Sequence, residues 1–388
     1  MKICHVITRM IIGGAQENTL LSIRGALEKG HDVTLVTGPT DGPEGKLLRD
    51  QPVPGLKVVE CPWLVREISP LNELRAYRFL KKYFRREKFD VVHTHTSKAG
   101  IIGRIAGRKA GVPLVVHTIH GLAFHPYQSP MKNRLYIFLE KLAAKYCDEI
   151  YCVAQAMTDQ CLAAGIGKKE MFKVVYSGME IETFLNAVPE ESLREQLGIP
   201  AGSTVFATVA RLFPEKGYED FIPVAKRIAE NHPGVGFLLI GNGILMDSIR
   251  KDVESAGFAD RFFFPGLVSP REVHRYLALS DALVHLSLHE GLPRAAVQSL
   301  GCGKPVIGYD LDGTPEVVRN GETGWLIEPR DLDAVEAAME KVVSDPATAE
   351  EYGRNGKALA GRLFGWRRMS DILLEHYGTA LAKKTSVQ

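Results

Sequence analysis

The chain has 388 residues, of which 45% are hydrophobic and 24% charged, with a formal net charge of +2. That length suggests two domains at about 150 residues each, with enough apolar material for a core in both. No run approaches the roughly 18 apolar residues that a bilayer span needs, which restricts any membrane contact to a peripheral one.

The near-neutral total hides an asymmetry. Through Leu185 there are 26 Lys+Arg against 18 Asp+Glu; beyond it, 22 against 28. A basic front half suits an anionic lipid or a phosphorylated acceptor. The six cysteines form no C-x-x-C pair and no regular framework, so they are expected to be reduced, as in the cytosol. The opening Met1-Lys2-Ile3-Cys4-His5-Val6-Ile7 turns polar too soon for a signal peptide and reads as a first buried strand.

Short apolar runs then alternate with helical stretches. Lys2–Thr8 is followed by Gly13-Gly14-Ala15-Gln16 and an amphipathic segment to Lys29. Glycines there let the backbone approach a ligand at a helix N-terminus, although taken alone a tight turn is the plainer use for them. The pattern is not G-x-G-x-x-G, which disfavours a dinucleotide site. Further strands are predicted at Asp32–Thr37, Lys57–Cys61, Asp90–His95, Pro113–His120, Glu149–Val153 and Lys173–Tyr176. The helix Leu71–Lys88 carries Arg75, Arg78, Lys82 and Arg85 on one face and Leu74, Tyr77, Leu80 and Phe84 on another. Such a helix either docks with a solvated basic face or lies on an anionic membrane. His93, His95 and His120 close two neighbouring strands; no carboxylate or cysteine joins them at ligand spacing, so no metal site is expected.

Thr183 to Ser203 is polar, contains proline and breaks the rhythm; the domain linker is expected there. The strands resume at Thr204–Ala210, Gly236–Gly241, Arg261–Pro265, Ala282–Ser287, Pro305–Tyr309 and Trp325–Ile327. Continuous apolar strands separated by helices indicate parallel sheets covered on both faces, with ligands at the strand C-termini. After Phe364-Gly365-Trp366, an amphipathic helix runs to about Ala382.

Three strand ends in the second half carry chemistry. Arg211-Leu212-Phe213-Pro214-Glu215-Lys216-Gly217 places two cations five apart on a Pro/Gly loop, where both can face one anion. A leaving diphosphate needs such charge; an ordinary solvated loop is the plainer use. His289-Glu290-Gly291-Leu292-Pro293 leads into a helix through Gln298 and Ser299, a strand–turn–helix N-terminus that can hold a phosphate beside an acidic acceptor for hydroxyls. Phosphate next to sugar hydroxyls suggests a nucleotide-sugar. Asp310-Leu311-Asp312 is a weak D-x-D string, with Asp312 expected to cap a turn and Glu316 to be a first-turn helix acid.

The segment from Glu290 to Gln298 resembles the E-x7-E signature of family-4 retaining glycosyltransferases, with glutamine at the second position. Arg211 and Lys216 match the family's R-x4-K clamp, and Gly313-Thr314-Pro315-Glu316 its G-x-P-E turn. The resemblance implies an α/β GT-B fold of two doubly wound Rossmann-like domains facing across a cleft. It places an acceptor domain at 1–185, a nucleotide-sugar domain at 200–365, and residues 366–388 crossing back onto the first. It implies catalytic roles for His120, Arg211, Lys216 and Glu290, and donor contacts from Gly13, Gly14, Gly241, Gly243, Gly291, Leu292 and Gln298. It further implies retention of anomeric configuration, a UDP-sugar donor, no metal and no cofactor. The acceptor would be a glycan or lipid-linked hydroxyl, bordered by the aromatic stretch from Phe124 to Phe138, at the cytoplasmic face of a membrane. Gln298 keeps a carbonyl acceptor for ribose but loses the charge-assisted part, worth about 1 kcal/mol. The alternatives are a catalytically weak nucleotide-sugar binding protein and a nucleotide-sugar 2-epimerase. A phosphorylase lacks its cofactor-lysine motif, and nucleic acid is not an expected partner.

Overall fold

The computed structural model describes residues 1–40 and 47–386. The chain divides into two units, Met1–Met179 with Trp366–Gln388, and Glu180–Gly365.

The first unit is a seven-stranded sheet: β1 (Lys2–Ile7), β2 (Asp32–Thr37), β3 (Lys57–Glu60), β4 (Val91–His95), β5 (Leu114–Ile119), β6 (Glu149–Cys152) and β7 (Phe172–Val174). Its order is β3-β2-β1-β4-β5-β6-β7, and every pairing is parallel. Its helices are α1 (Gly14–Glu28), α2 (Leu47–Asp50), α3 (Pro70–Glu87), α4 (Ser97–Ala110), α5 (Pro130–Ala144) and α6 (Gln155–Ala163). Successive strand residues face opposite ways, so both sheet faces are apolar and both are covered. Ile3, Ile7, Leu35 and Val116 pack against Leu20 and Ile23 of α1, whereas Cys4, Val6, Val36 and Val92 pack against Leu80 and Phe84 of α3 and Ile102 of α4. The α3 cations Arg75, Arg78, Lys82 and Arg85 are exposed while Leu80 and Phe84 are buried, so the helix docks on the sheet by its apolar side and leaves the basic side open.

The second unit holds the short helices α7 (Ile181–Leu185) and α8 (Glu191–Gln196), then a six-stranded sheet: β8 (Thr204–Val209), β9 (Val235–Ile240), β10 (Phe262–Gly266), β11 (Ala282–His285), β12 (Val306–Tyr309) and β13 (Gly324–Ile327). The order is β10-β9-β8-β11-β12-β13, again parallel. Its other helices are α9 (Tyr218–Asn231), α10 (Met246–Ser255), α11 (Val273–Ala278), α12 (Arg294–Gly301), α13 (Thr314–Val317), α14 (Leu332–Ser344) and α15 (Pro346–Leu363). Phe206, Phe237, Val284 and Ile307 bury against Phe221 and Ile228 of α9 and Val335 and Met339 of α14.

The stretch 183–203 is not a bare linker. It carries the end of α7 and all of α8, with Phe184, Leu193 and Ile199 buried, and it belongs to the second unit. Two helices of five and six residues are too short to show a periodicity.

A last helix, α16 (Trp366–Thr385), completes the first unit. Trp366, Met369, Leu373 and Tyr377 join the core built on β1 and α1. The approach is close: a Cβ on Gly25 of α1 would lie 2.1 Å from the Ser370 Oγ of α16.

In each sheet the strand order reverses direction once, between β1 and β4 and between β8 and β11. Loops leaving the C-terminal ends of those strands are where a doubly wound sheet binds ligands.

Candidate active site

In the second unit two of these loops are welded together. The loop after β8 contains Glu215 at φ 68° and Gly217 at φ 82°, left-handed conformations that turn the chain into α9. Gly217 also lies so close to the stretch after β11 that a Cβ there would come within 2.3 Å of the Leu286 carbonyl oxygen. The Leu288 N–H donates to the Glu215 carbonyl at 2.9 Å. This backbone clamp carries Lys216 to Glu290: Nζ donates to Oε1 at 2.7 Å and to Ser287 Oγ at 3.3 Å.

The two side chains are 25% and 20% exposed, half-open to a ligand. Burial alone would raise the Glu290 carboxyl, but Lys216 outweighs it, with help from His285 and the Ser287 hydroxyl; the net position is below the usual carboxylate range. Glu290 is therefore an anion at neutral pH, paired on one oxygen. Arg211, at the start of the same loop, is exposed, its guanidinium 5.1 Å from the centre of the Phe213 ring.

Gly241 and Gly243 act on this loop from behind. A Cβ on Gly241, at φ 148°, would sit 1.9 Å from the Ala210 carbonyl oxygen, and one on Gly243 would sit 2.3 Å from that of Leu212. The Leu212 N–H donates to the Asn242 carbonyl, and the Leu245 N–H to the Leu212 carbonyl. Both glycines thus let the turn after β9 press against the backbone that presents Arg211.

After Glu290, Gly291 and Leu292 are buried and α12 begins at Arg294. Its N-cap is Pro293, which offers no side-chain acceptor to the first turn. The leading N–H groups of α12 have no intrahelical partner and carry the positive end of its dipole. Gln298 lies one turn after Arg294, and the two are the half-buried residues on an otherwise buried helix. This end of the unit carries the Lys216–Glu290 pair at the loop that leads into α12, with Arg211 at the start of the Lys216 loop and Gln298 one turn into α12. That set fits a diphosphate with hydroxyl groups on either side.

Two residues of the site escape a reading of the sequence. Asp312 is expected there as a turn or cap residue, and it does stand in the turn before α13, but nothing in the sequence marks its partner. Its Oδ2 accepts the Glu290 N–H at 2.9 Å and lies 3.5 Å from Nδ1 of His289, from a left-handed backbone at φ 51°. The residue at the N-cap of α13 is Gly313, which leaves the Asp312 carboxylate to reach sideways and fix Glu290. Glu316 is in the first turn of α13, as its position in the sequence suggests. The other residue is His285, at the end of β11. It is 7% exposed, its Nε2 lies 3.8 Å from Glu290 Oε1, and that nitrogen has no hydrogen-bond partner among the described residues. Burial lowers its pKa, with Glu290 opposing.

In the first unit, Gly13 is the N-cap of α1 and Gly14 its first residue, in the loop that leaves β1. A Cβ on Gly13 would lie 2.7 Å from Gln16 Oε1, and the Gln16 amide donates to the Arg9 carbonyl, closing the loop. His120 directly follows β5, and its Nε2 is 3.0 Å from Nδ1 of His95. His117 faces the other way and is structural: Nδ1 is 3.0 Å from the Thr94 carbonyl, and the ring fills the space a Cβ on Gly100 would need. His5, His93 and His95 bring ligand-type atoms within 4.8 Å of one another. Both nitrogens of His93 are already engaged, Nδ1 by the Tyr377 hydroxyl at 2.5 Å and Nε2 by the Thr118 hydroxyl at 2.6 Å. A metal ion would have to break those bonds, so this cluster is better described as a hydrogen-bonded network.

Comparison with known proteins gives a consistent picture. Residues 13–176 match the profile "Glycosyl transferase 4-like domain" and residues 189–359 match "Glycosyl transferases group 1". The chain is 32% identical over 349 residues to an Escherichia coli UDP-Gal:alpha-D-GlcNAc-diphosphoundecaprenol alpha-1,3-galactosyltransferase, covering 89% of this chain and 88% of that protein. It is 24% identical to the Staphylococcus aureus capsular polysaccharide biosynthesis glycosyltransferase CapM, covering 98% and 97%. The fold superposes on Anabaena HepE, solved in complex with UDP, with a TM-score of 0.82 at 22% identity over 98% of this chain and 100% of that one.

Proposed function

Because this chain belongs to the family-4 glycosyltransferases and has their GT-B fold, we propose that it moves a hexosyl group from a UDP-sugar to a hydroxyl of a lipid-diphosphate-linked sugar, with retention of configuration and without a metal. The observation that carries this reading is the Lys216–Glu290 pair beside the N-terminus of α12. It supplies positive charge for a leaving diphosphate and an anionic acceptor for sugar hydroxyls within one side-chain length. Arg211 completes the charge around the diphosphate, and Gln298 offers its carbonyl to the ribose.

The chemistry is then a displacement on one face of the sugar. The bond between the anomeric carbon and the β-phosphate oxygen breaks, and negative charge grows on the diphosphate. Lys216, Arg211 and the α12 amides stabilise that charge. The acceptor oxygen bonds to the anomeric carbon on the face the diphosphate leaves, and its proton passes to a diphosphate oxygen. Glu290 orients the hexose and takes no proton. His120 takes its role in this reading from its match to the family's sugar-side histidine, at the end of β5.

A lipid-linked acceptor requires a membrane approach, and α5 supports one. Met131, Leu135 and Phe138 recur at helical spacing and are 80%, 50% and 63% exposed. Lys132, Arg134, Lys141 and Lys145 lie around that stripe. An apolar face rimmed by cations fits an anionic lipid surface. No described helix is long and apolar enough to cross a membrane. In this reading the enzyme works as a peripheral protein at the cytoplasmic face.

The test is thermal stabilisation by UDP, GDP and ADP, each with and without EDTA. The expected result is a shift with UDP that EDTA leaves unchanged and that Arg211→Ala removes. No shift with any of the three nucleotides would overturn the donor assignment. For the membrane, co-sedimentation with vesicles of anionic lipid is expected to fall on Phe138→Asp; equal binding by the variant would refute the α5 face.

A further inference from the structure

His120 is the outer end of a row of rings. Its Nε2 lies 3.0 Å from Nδ1 of His95, and Nε2 of His95 lies 3.0 Å from Nδ1 of His5. The register makes the row. β1 and β4 pair in parallel with His5 opposite His93, so His5, His93 and His95 project from one sheet face; β5 adds Thr118, opposite His95, and His120 two residues later.

The ring centres are 5.3 Å apart for His5 and His95 and 5.2 Å for His95 and His120, with interplanar angles of 10° and 28°. A separation that large with a 3.0 Å N···N distance means the rings meet edge to edge, near one plane, as a linear N–H···N bond requires. His95 and His5 are fully buried. Burial, reinforced at His95 by the neighbouring rings, holds both neutral, with His5 pushed down to about 3.

A neutral imidazole has one N–H and one lone pair. A ring that accepts on one nitrogen must donate from the other. With all three rings neutral, two linked bonds permit only two arrangements. In one, His5 donates to His95, His95 donates to His120, and the His120 proton sits on Nδ1. In the other, every bond is reversed and Nδ1 of His120 is a lone pair. Whether His120 carries a donor or an acceptor on Nδ1 is thereby tied to the tautomer of His5, two rings away.

We propose that His95 and His5 are positioning residues that act as one unit to fix the tautomer of His120. The proposal rests on the reading of His120 as the histidine beside the transferred hexose. There, the fixed tautomer selects sugars by whether the facing hydroxyl must accept or donate.

The test uses full-length protein with nitrogen-15-labelled histidine and no ligand. Long-range proton–nitrogen spectra distinguish a ring held in one tautomer from one exchanging between two. Wild-type His5, His95 and His120 are each expected to show one protonated and one bare nitrogen. In His5→Phe, which leaves the His95–His120 bond in place, the His120 nitrogens are expected to move to averaged positions although His5 does not touch that ring. An unchanged His120 signature in a folded His5→Phe protein overturns the proposal. If that variant fails to fold, an averaged His120 signature in the wild type overturns it equally.

With substrate, His5→Phe and His95→Phe are each expected to lower kcat/KM about tenfold, the value of one hydrogen bond, and the double variant no further than His95→Phe alone. Additive losses would mean two separate structural effects. The spectra are taken without ligand, so they can fail while the transferase reading stands, and the reverse.

Discussion

Replacing Lys216 by methionine leaves Glu290 as a partly buried carboxylate without its cation. Breaking a fully buried pair costs about 3–5 kcal/mol, whereas an exposed pair contributes about 1 kcal/mol or less. At 25% and 20% exposure the pair lies between these limits, so Lys216→Met is expected to cost about 2 kcal/mol at pH 7. Glu290→Gln removes the charge instead and leaves an amide that can still accept, so its cost is smaller. The double variant should fall short of the sum by a coupling of about 1–2 kcal/mol.

The pH dependence carries a sign. In the wild type Glu290 titrates below the usual range because Lys216 overcomes its burial. A depressed carboxylate contributes stability above its unfolded pKa, about 4.3, and that stability is lost as pH falls through the folded value. Without Lys216 the burial is less opposed and the folded pKa rises. The deficit of Lys216→Met should therefore be small near pH 4 and grow towards pH 7. Calorimetric unfolding of the four proteins at both pH values tests this. Strict additivity, or a deficit equal at both pH values, would refute an ion pair of this strength.

Gly241→Ala must move the Ala210 carbonyl away from a Cβ only 1.9 Å distant. It is expected to destabilise the protein by about 1–3 kcal/mol, and nucleotide titration should show UDP affinity falling with it; a variant that keeps its melting temperature would show that the turn after β9 yields freely. Gln298→Glu is expected to tighten nucleotide binding by about 1 kcal/mol, roughly fivefold. An unchanged dissociation constant would mean that this side chain does not reach the ribose. Lys216→Ala is expected to abolish transfer while the circular dichroism spectrum stays the same; an unchanged rate would remove Lys216 from the mechanism.

That Arg211, Lys216 and Glu290 sit on loops leaving parallel strands is legible in the sequence, because their residue types follow predicted strand ends; the structure adds that Lys216 and Glu290 meet. What stays hidden depends on strand order. Nothing local to His5 shows that β1 lies beside β4, so the row through His95 to His120 cannot be read. Asp312 looks like turn chemistry because its nearest sequence neighbours form a turn; its partner, the Glu290 amide, comes from the adjacent strand's loop. The helices α7 and α8 are lost in polar composition. The exposed stripe on α5 has the spacing of an ordinary core face; only the finished packing shows that no described element of its unit covers Met131.

The return of α16 to the first unit has a consequence for synthesis. Residues 180–365 are contiguous, and the second sheet can close as soon as they leave the ribosome. The first unit is translated earlier yet must wait longer, because Trp366, Met369, Leu373 and Tyr377 fill its core and Tyr377 holds His93. Until they arrive, the α1 side of that sheet lacks part of its cover, with Leu20 and Ile23 short of partners. The half made first is thus the half finished last.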